Sequence, residues 1–169
     1  MILGVPHRTV AICPHDDEWQ IQAYLMMKRL EKLLGGINTD IRHVGSTAVP
    51  SIAANPVFDI ALGVVSDKNV DMVCSALTVD GFEEDTSYVS FARVFYLQCD
   101  GLRTYQVFVV AVGSVGWKRL VRFRDFLNAD PEYAVLYAEN NHNSCELPFA
   151  EYIAQKNALI ESILMKIRK

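Results

Sequence analysis

The chain is 169 residues long, 51% apolar and 21% charged, with a formal net charge of −4 from 16 basic and 20 acidic side chains. That composition excludes disordered, collagenous and low-complexity chains. The negative balance excludes a general nucleic-acid-coating surface, which needs clustered positive charge, while leaving room for a small local basic site.

Clean apolar runs such as Val107 to Val112 are far too short to cross a bilayer. The N-terminus lacks a basic region followed by a long apolar stretch, so no signal peptide is read there. No membrane partner and a cytoplasmic location are the expectation. Cys13, Cys74, Cys99 and Cys145 form no CxxC pair. They signal neither zinc nor a redox dithiol and are expected to be free, buried thiols. With no repeat, linker or charge block, residues 1–169 read as one domain.

In chain order, Val10-Ala11-Ile12 reads as a short strand or an extended lead-in. Asp16-Asp17-Glu18 suits a helix N-terminus, where carboxylates meet the positive end of the dipole. Ala23, Met26, Met27, Leu30, Leu33 and Leu34 follow at helical spacing until Gly35-Gly36. Ile41 to Val44 is a short strand that enters the turn Gly45 to Pro50, and Ser51 to Ala54 is read as a helical turn. Val57 to Val65 is a strongly apolar, central strand. The spacing predicts a helix over 67–79, then strands over 91–98 and 104–112 joined by the hairpin signal Asp100-Gly101. Helices are predicted over about 117–128, 131–141 and 148–168. The sum is an α+β architecture: a mixed β-sheet flanked by helices, with a helical C-terminal third.

Two features point to chemistry. Gly45-Ser46 follows a strand, and exposed N–H groups in such a turn make an anion nest, although most Gly-Ser dipeptides are turns and nothing more. Asp59 interrupts Val57-Phe58-Asp59-Ile60-Ala61-Leu62, where alternation sets Val57, Asp59 and Ala61 on one face and Phe58, Ile60 and Leu62 on the other. A carboxylate there is costly unless it is partnered, metal-bound or at a cleft. The strand leaves two readings open: a structural pair with an arginine or loop, or a site.

The segments His43 to Pro50 and Ala53 to Ile60 together resemble the signature of the GrpB family, part of the nucleotidyltransferase-fold superfamily. Glu18-Trp19, Arg103-Thr104, Phe123 to Leu127, Asp130-Pro131-Glu132, Tyr137, Tyr152 and Lys156 resemble further family positions, in the same order and over most of the chain. The resemblance implies a nucleotidyltransferase-like fold. It implies a Gly-Ser turn that binds nucleotide phosphates, and carboxylates that hold Mg2+ for transfer of a nucleoside monophosphate with release of pyrophosphate. Such chemistry holds two ions about 3.5–4 Å apart on oxygen ligands.

On that resemblance Asp59 is the catalytic and metal-holding carboxylate. Gly45, Ser46, Thr47, Arg103 and Lys156 are assigned to the nucleotide phosphates, and His43, Arg93, Tyr105, Gln106 and Phe108 to the pocket lining. For Arg93 a structural ion pair is the preferred reading, and Lys156 is equally read as snorkelling from an apolar helix face.

The sequence departs from the family at polar positions. Ala61 stands where the wider superfamily often has a second acid, and Tyr105 to Phe108 stand where the family has histidines. Asn55, Arg42, Leu120 and Asn141 replace a usual lysine, glutamate, histidine and lysine. One aspartate cannot reproduce a two-metal site, although a single metal shared with substrate phosphates is compatible with it. The implied function is binding of a nucleotide or another phosphorylated small molecule, with Mg2+-dependent nucleotidyl transfer as its catalytic form. The alternatives are a catalytically inactive binding or regulatory protein on the same fold, and an enzyme with a rebuilt, metal-free pocket.

Overall fold

The computed structural model describes residues 3–86 and 89–167. Helix α1 (Glu18–Leu33) starts where the Glu18 N–H donates to Asp16 Oδ1 at 3.0 Å. Its inward stripe is Trp19, Ala23, Met26 and Leu30. Strand β1 (Thr39–Val44) runs into a single 3-10 turn over Ser46–Ala48, and β2 (Phe58–Val64) follows. A second 3-10 turn leads into α2 (Val70–Val79). Next come the two-residue β3 (Glu83–Glu84), then β4 (Arg93–Cys99) and β5 (Leu102–Ala111). Asp100 and Gly101 join the last two strands with φ of 53° and 77°, the left-handed pair that the hairpin signal requires.

Three helices close the chain: α3 (Val115–Ala129), α4 (Pro131–Ser144) and α5 (Phe149–Ile167). Ser114 caps α3 by accepting from Trp117 N–H. Asp130 caps α4 by accepting from Glu132 and Tyr133 N–H, with Pro131 in the first turn.

Among the described residues the strands form one sheet in the order β1-β2-β5-β4-β3. β2 and β5 pair in parallel and the other pairs are antiparallel. The α+β expectation of a mixed sheet with a helical C-terminal third therefore holds. α1 and α2 cover one face, where Trp19, Leu30, Phe58, Ile60, Leu62, Phe95 and Val107 make a dry core. On the other side α3, α4 and α5 build a second cluster from Phe123, Leu127, Tyr137 and Ile163, with Val49 and Ile52. Gly63 lets α3 approach the sheet, because a Cβ there would sit 2.7 Å from the Trp117 ring.

Several local expectations need correction. Of the two readings of Val10 to Ile12 the lead-in is found and the strand is not; isolated bridges of Val5 to Arg103 and Cys13 to Ala54 flank the segment, and the Ala11 N–H donates to Asn55 Oδ1. Ser51 to Ala54 form a bend rather than a helical turn, since Ala54 is committed to the bridge with Cys13. β3 went unread because two exposed glutamates carry no apolar pattern. The cysteines are free, but only Cys74 is buried; Cys99 is exposed beside the hairpin tip, and Cys13 and Cys145 are half-buried. The last residue of the helix predicted to end at 168 lies outside the described residues.

Candidate functional site

Asp59 is the second residue of β2. Its Cα is paired with Val44 at the end of β1 and with Gln106 in β5. Phe58 and Ile60 take the dry face, so Asp59 faces the helices α3 to α5. Gly45 lies immediately beside it with φ 72° and ψ −170°, a conformation open to glycine and strained for other residues. A Cβ on Gly45 would collide with the Asp59 carboxylate and stand 2.9 Å from its Cβ. The glycine of the Gly-Ser turn thus serves here to give the carboxylate its room.

Arg103 reaches the same face by a device that alternation does not foresee. Strand phase alone would put Arg103 with Tyr105, toward α1 and α2. However, Leu97 pairs with Tyr105 while the next residue, Gln98, pairs with Arg103, so Thr104 is an extra residue in β5. A bulge of this kind re-aims a side chain. It turns Arg103 into the cavity that Asp59 and Gln106 line, with its guanidinium carbon 5.6 Å from the Phe149 ring centre.

The site has two chambers that share Asp59 and Lys156. The smaller is narrow, about 250 Å³ with part of that open to solvent, and is lined by Ser46, Asn55, Val57, Arg103 and Gln106 with the shared pair. The larger encloses about 550 Å³, part of it open to solvent. Its walls are largely apolar: Val44, Val89, Phe91, Phe108, Leu120, Phe123, Tyr137 and Ile160, with Asn157 and Arg119. Phe91 and Phe108 are parallel within 7°, with centres 6.5 Å apart. Arg119 lies over Phe91 at 5.1 Å and is ion-paired with Glu161.

Asp59 keeps some surface open to the cleft but lies deep in the molecule. Burial pushes its carboxyl above the usual carboxylate range, and the positive charges of Lys156 and Arg103 pull the other way. Arg103 is 4% exposed and Gln106 3%, yet Arg103 Nε and Gln106 Nε2 make no hydrogen bond with the described residues. Asn55, one of the departures from the family pattern, is used structurally: its Oδ1 accepts from the Ala11 N–H at 3.1 Å.

Asp59, Gly45, Ser46, Arg103, Lys156, Gln106 and Phe108 come together around the two chambers. Four assigned residues do not. Arg93 belongs to the opposite side of the sheet, where it lies over Phe95 and donates from Nε and Nη2 to both carboxylate oxygens of Glu84, at 2.7 and 2.8 Å. Tyr105 also points away, because it is adjacent in the strand to Gln106. It packs in the dry core with its ring centre 5.3 Å from that of Phe58.

His43 and Thr47 form a structural pair behind the turn: His43 Nε2 and Thr47 Oγ1 are hydrogen-bonded at 2.9 Å, and Gln20 Nε2 donates to the Thr47 carbonyl. Burial, with Arg124 and His15 nearby, pushes the His43 imidazole down to about 4, so it is neutral near pH 7. Arg124 Nη1 donates to the His43 carbonyl, and Asn128 Nδ2 to the Ala48 carbonyl, anchoring the turn to α3.

Other lining residues escaped the sequence reading. Arg119 reads as one of several cations on a solvated helix face, and only the tertiary fold brings Phe91, Asn157 and Ile160 together. Lys156 on the apolar stripe of α5 was the available signal for that helix.

A mixed sheet with parallel central strands, a Gly-Ser turn at the end of one strand and an aspartate on the next defines a nucleotidyltransferase-fold protein. The solved Cid1 poly(U) polymerase with MgGTP bound shares the fold, with a TM-score of 0.52, 14% identity, and coverage of 78% of this chain and 44% of that one. A sequence model of the family described as GrpB protein matches residues 9–166, and the chain belongs to the GrpB family. It is similar to the crystal structure of conserved protein GrpB from Enterococcus faecalis, with a TM-score of 0.72, 20% identity, and coverage of 91% of this chain and 99% of that one. It is also 28% identical over 178 residues to the glutamate-rich protein GrpB of Alkalihalophilus pseudofirmus, covering 96% of this chain and 98% of that protein.

Proposed function

We propose that this chain binds a nucleotide or another phosphorylated small molecule in the two-chamber cleft, by direct contacts from Arg103, Lys156 and the Gly45-Ser46 turn. The observation that carries this is the convergence of two cations on one buried carboxylate beside an apolar pocket. An arginine fork and a lysine suit phosphate oxygens. The fold supports the same class of ligand, since Cid1 holds MgGTP on it.

The donor set does not fit a pair of magnesium ions. Among the described residues no group of three or more His, Cys, Asp or Glu side chains gathers to hold a metal. Ala61 and Gln106 offer no second carboxylate beside Asp59, and the positive charges of Lys156 and Arg103 already act on it. The reading is therefore binding without two-metal nucleotidyl transfer.

Calorimetric titration with nucleoside mono- and triphosphates, with and without magnesium, tests this for the parent chain and Asp59→Asn. Without a metal, a carboxylate facing phosphates is repulsive, so Asp59→Asn is expected to bind as tightly or more tightly, with no pyrophosphate released by either form. Magnesium-dependent pyrophosphate release that falls by orders of magnitude in Asp59→Asn would replace this reading with metal-dependent transfer. Absence of binding by any phosphorylated ligand would end it.

A further inference from the structure

We infer that the cleft takes a phosphate monoester with an apolar body, its one phosphate seated in the smaller chamber, in preference to a polyphosphate. This deepens the proposal above and rests on the cleft being a site for phosphorylated ligands.

The smaller chamber is built for an anion. Arg103 Nε and Gln106 Nε2 belong to side chains 4% and 3% exposed and have no hydrogen-bond partner among the described residues. A buried donor left unmatched is costly, so such groups are normally satisfied. Both side chains line one small cavity, with Ser46 and Lys156 on the same walls. The bulge at Thr104 is what sends Arg103 there. A tetrahedral oxyanion accepts from donors arriving on several sides, which is what this lining offers.

The larger chamber argues against further phosphates. Past Asp59 and Lys156 its walls include Val44, Phe91, Phe108, Phe123 and Ile160. Its remaining cation, Arg119, is already paired with Glu161 and laid over Phe91. Phosphates placed along these walls would lose water and meet few donors, Asn157 among them, a costly exchange. An aromatic or aliphatic body gains from the same walls.

The test is a titration series at pH 6 and 7.5 with phenyl phosphate, inorganic phosphate, phenol, AMP and ATP, each with and without magnesium. Phenyl phosphate is expected to bind at least about tenfold tighter than inorganic phosphate, from burial of the ring, and at least tenfold tighter than ATP. Magnesium is expected to leave its affinity unchanged. Gln106→Leu removes one unmatched donor at nearly constant shape. It is expected to weaken phenyl phosphate at least fivefold while leaving the thermal midpoint unchanged or higher, which loss of a merely structural residue would not do.

ATP binding as tightly as phenyl phosphate or AMP would overturn the monoester assignment while leaving phosphoryl binding in place. An unchanged affinity in Gln106→Leu would overturn the seating of the phosphate in the smaller chamber. Failure of every phosphorylated probe to bind would overturn both this inference and the reading beneath it.

Discussion

The two faces of the sheet come from the same strands and are finished in opposite ways. Toward α1 and α2, β2 and β5 present Phe58, Ile60, Leu62, Val107 and Val109, and Trp19, Leu30 and Phe95 fill the space between. Toward α3, α4 and α5 the same two strands present Asp59, Gln106 and Phe108, and the helices stand off to leave the two chambers, both partly open to solvent. Adjacent residues of one strand therefore serve a close-packed interior and a polar cleft. The lesson is that Asp59 and Gln106 share one phase of the alternation, where a cavity receives them, while Arg103 starts from the other phase and joins them only through the bulge. At the cleft a carboxylate, an arginine and an amide break the local rule of apolar burial.

The largest expected effect is a packing contrast between the faces. Phe58 is fully buried among Trp19, Tyr105 and His43. Phe58→Ala should cost about 3–5 kcal/mol in urea unfolding, while the folded fraction keeps its cleft affinity within about threefold. Phe108→Ala, on a wall that already borders open space, should cost less than half as much. Equal losses would mean that the two faces are packed alike.

The next effect in size is set by pH and belongs to the support of the turn. His43 has a folded-state pKa lowered to about 4 by burial, with Arg124 and His15 adding to the shift. Its unfolded value is near 6.5, so the unfolded chain binds the extra proton. Its contribution is complete above about pH 6.5, declines as pH falls toward 4, and is level below that. The span corresponds to at most about 3 kcal/mol. Urea unfolding from pH 7.5 to 4 should show a steeper loss for the parent than for His43→Gln, with carboxylate titration common to both. Parallel curves would show that the imidazole titrates alike in both states.

On the cleft side, Gly45→Ala should cost about 1–3 kcal/mol from its backbone conformation alone. It should weaken phosphate ligands further by driving the Asp59 carboxylate from its seat. Thermal unfolding and titration with AMP measure the two parts separately. A variant that is stable and binds normally would show that the tight approach of Gly45 to Asp59 does not govern the cleft.

What could be read from residues alone follows the same division. The alternation through Phe58, Asp59 and Ile60 was legible, because a run of apolar residues with one carboxylate states both the strand and the odd face. The hairpin at Asp100-Gly101 was legible for a similar local reason, whereas the cap Ser114 went unread and α3 starts two residues before the helix predicted from about 117. Arg103 could be assigned to the site only by family resemblance, since its bulge depends on pairing with β4, and the plain alternation sets it on the wrong face. Tyr105 and Gln106 were assigned together although adjacent strand residues cannot share a face. The apolar chamber was not legible, because Phe91, Phe123, Tyr137 and Ile160 come from separate elements and each reads as ordinary core.

The smallest expected effect is at Arg93, which tests whether the faces are independent. Its guanidinium grips both oxygens of Glu84 and reaches Asp71 at 3.3 Å, all on the rim of the α2 side. The hydrogen bond from Arg93 holds the Glu84 carboxyl below its ordinary range. The pair is partly exposed, with side-chain accessibilities of 41% and 31%, so water and salt screen it. Arg93→Ala should therefore cost no more than about 1 kcal/mol, and less at high salt. Because the closed sheet lies between Arg93 and Asp59, affinity for AMP should not move. If Arg93 instead reached the ligand, its removal would lower affinity at least tenfold with little change in stability. Titration of Arg93→Ala beside Arg103→Lys measures that difference: only the second, whose side chain the bulge turns into the small chamber, is expected to weaken binding.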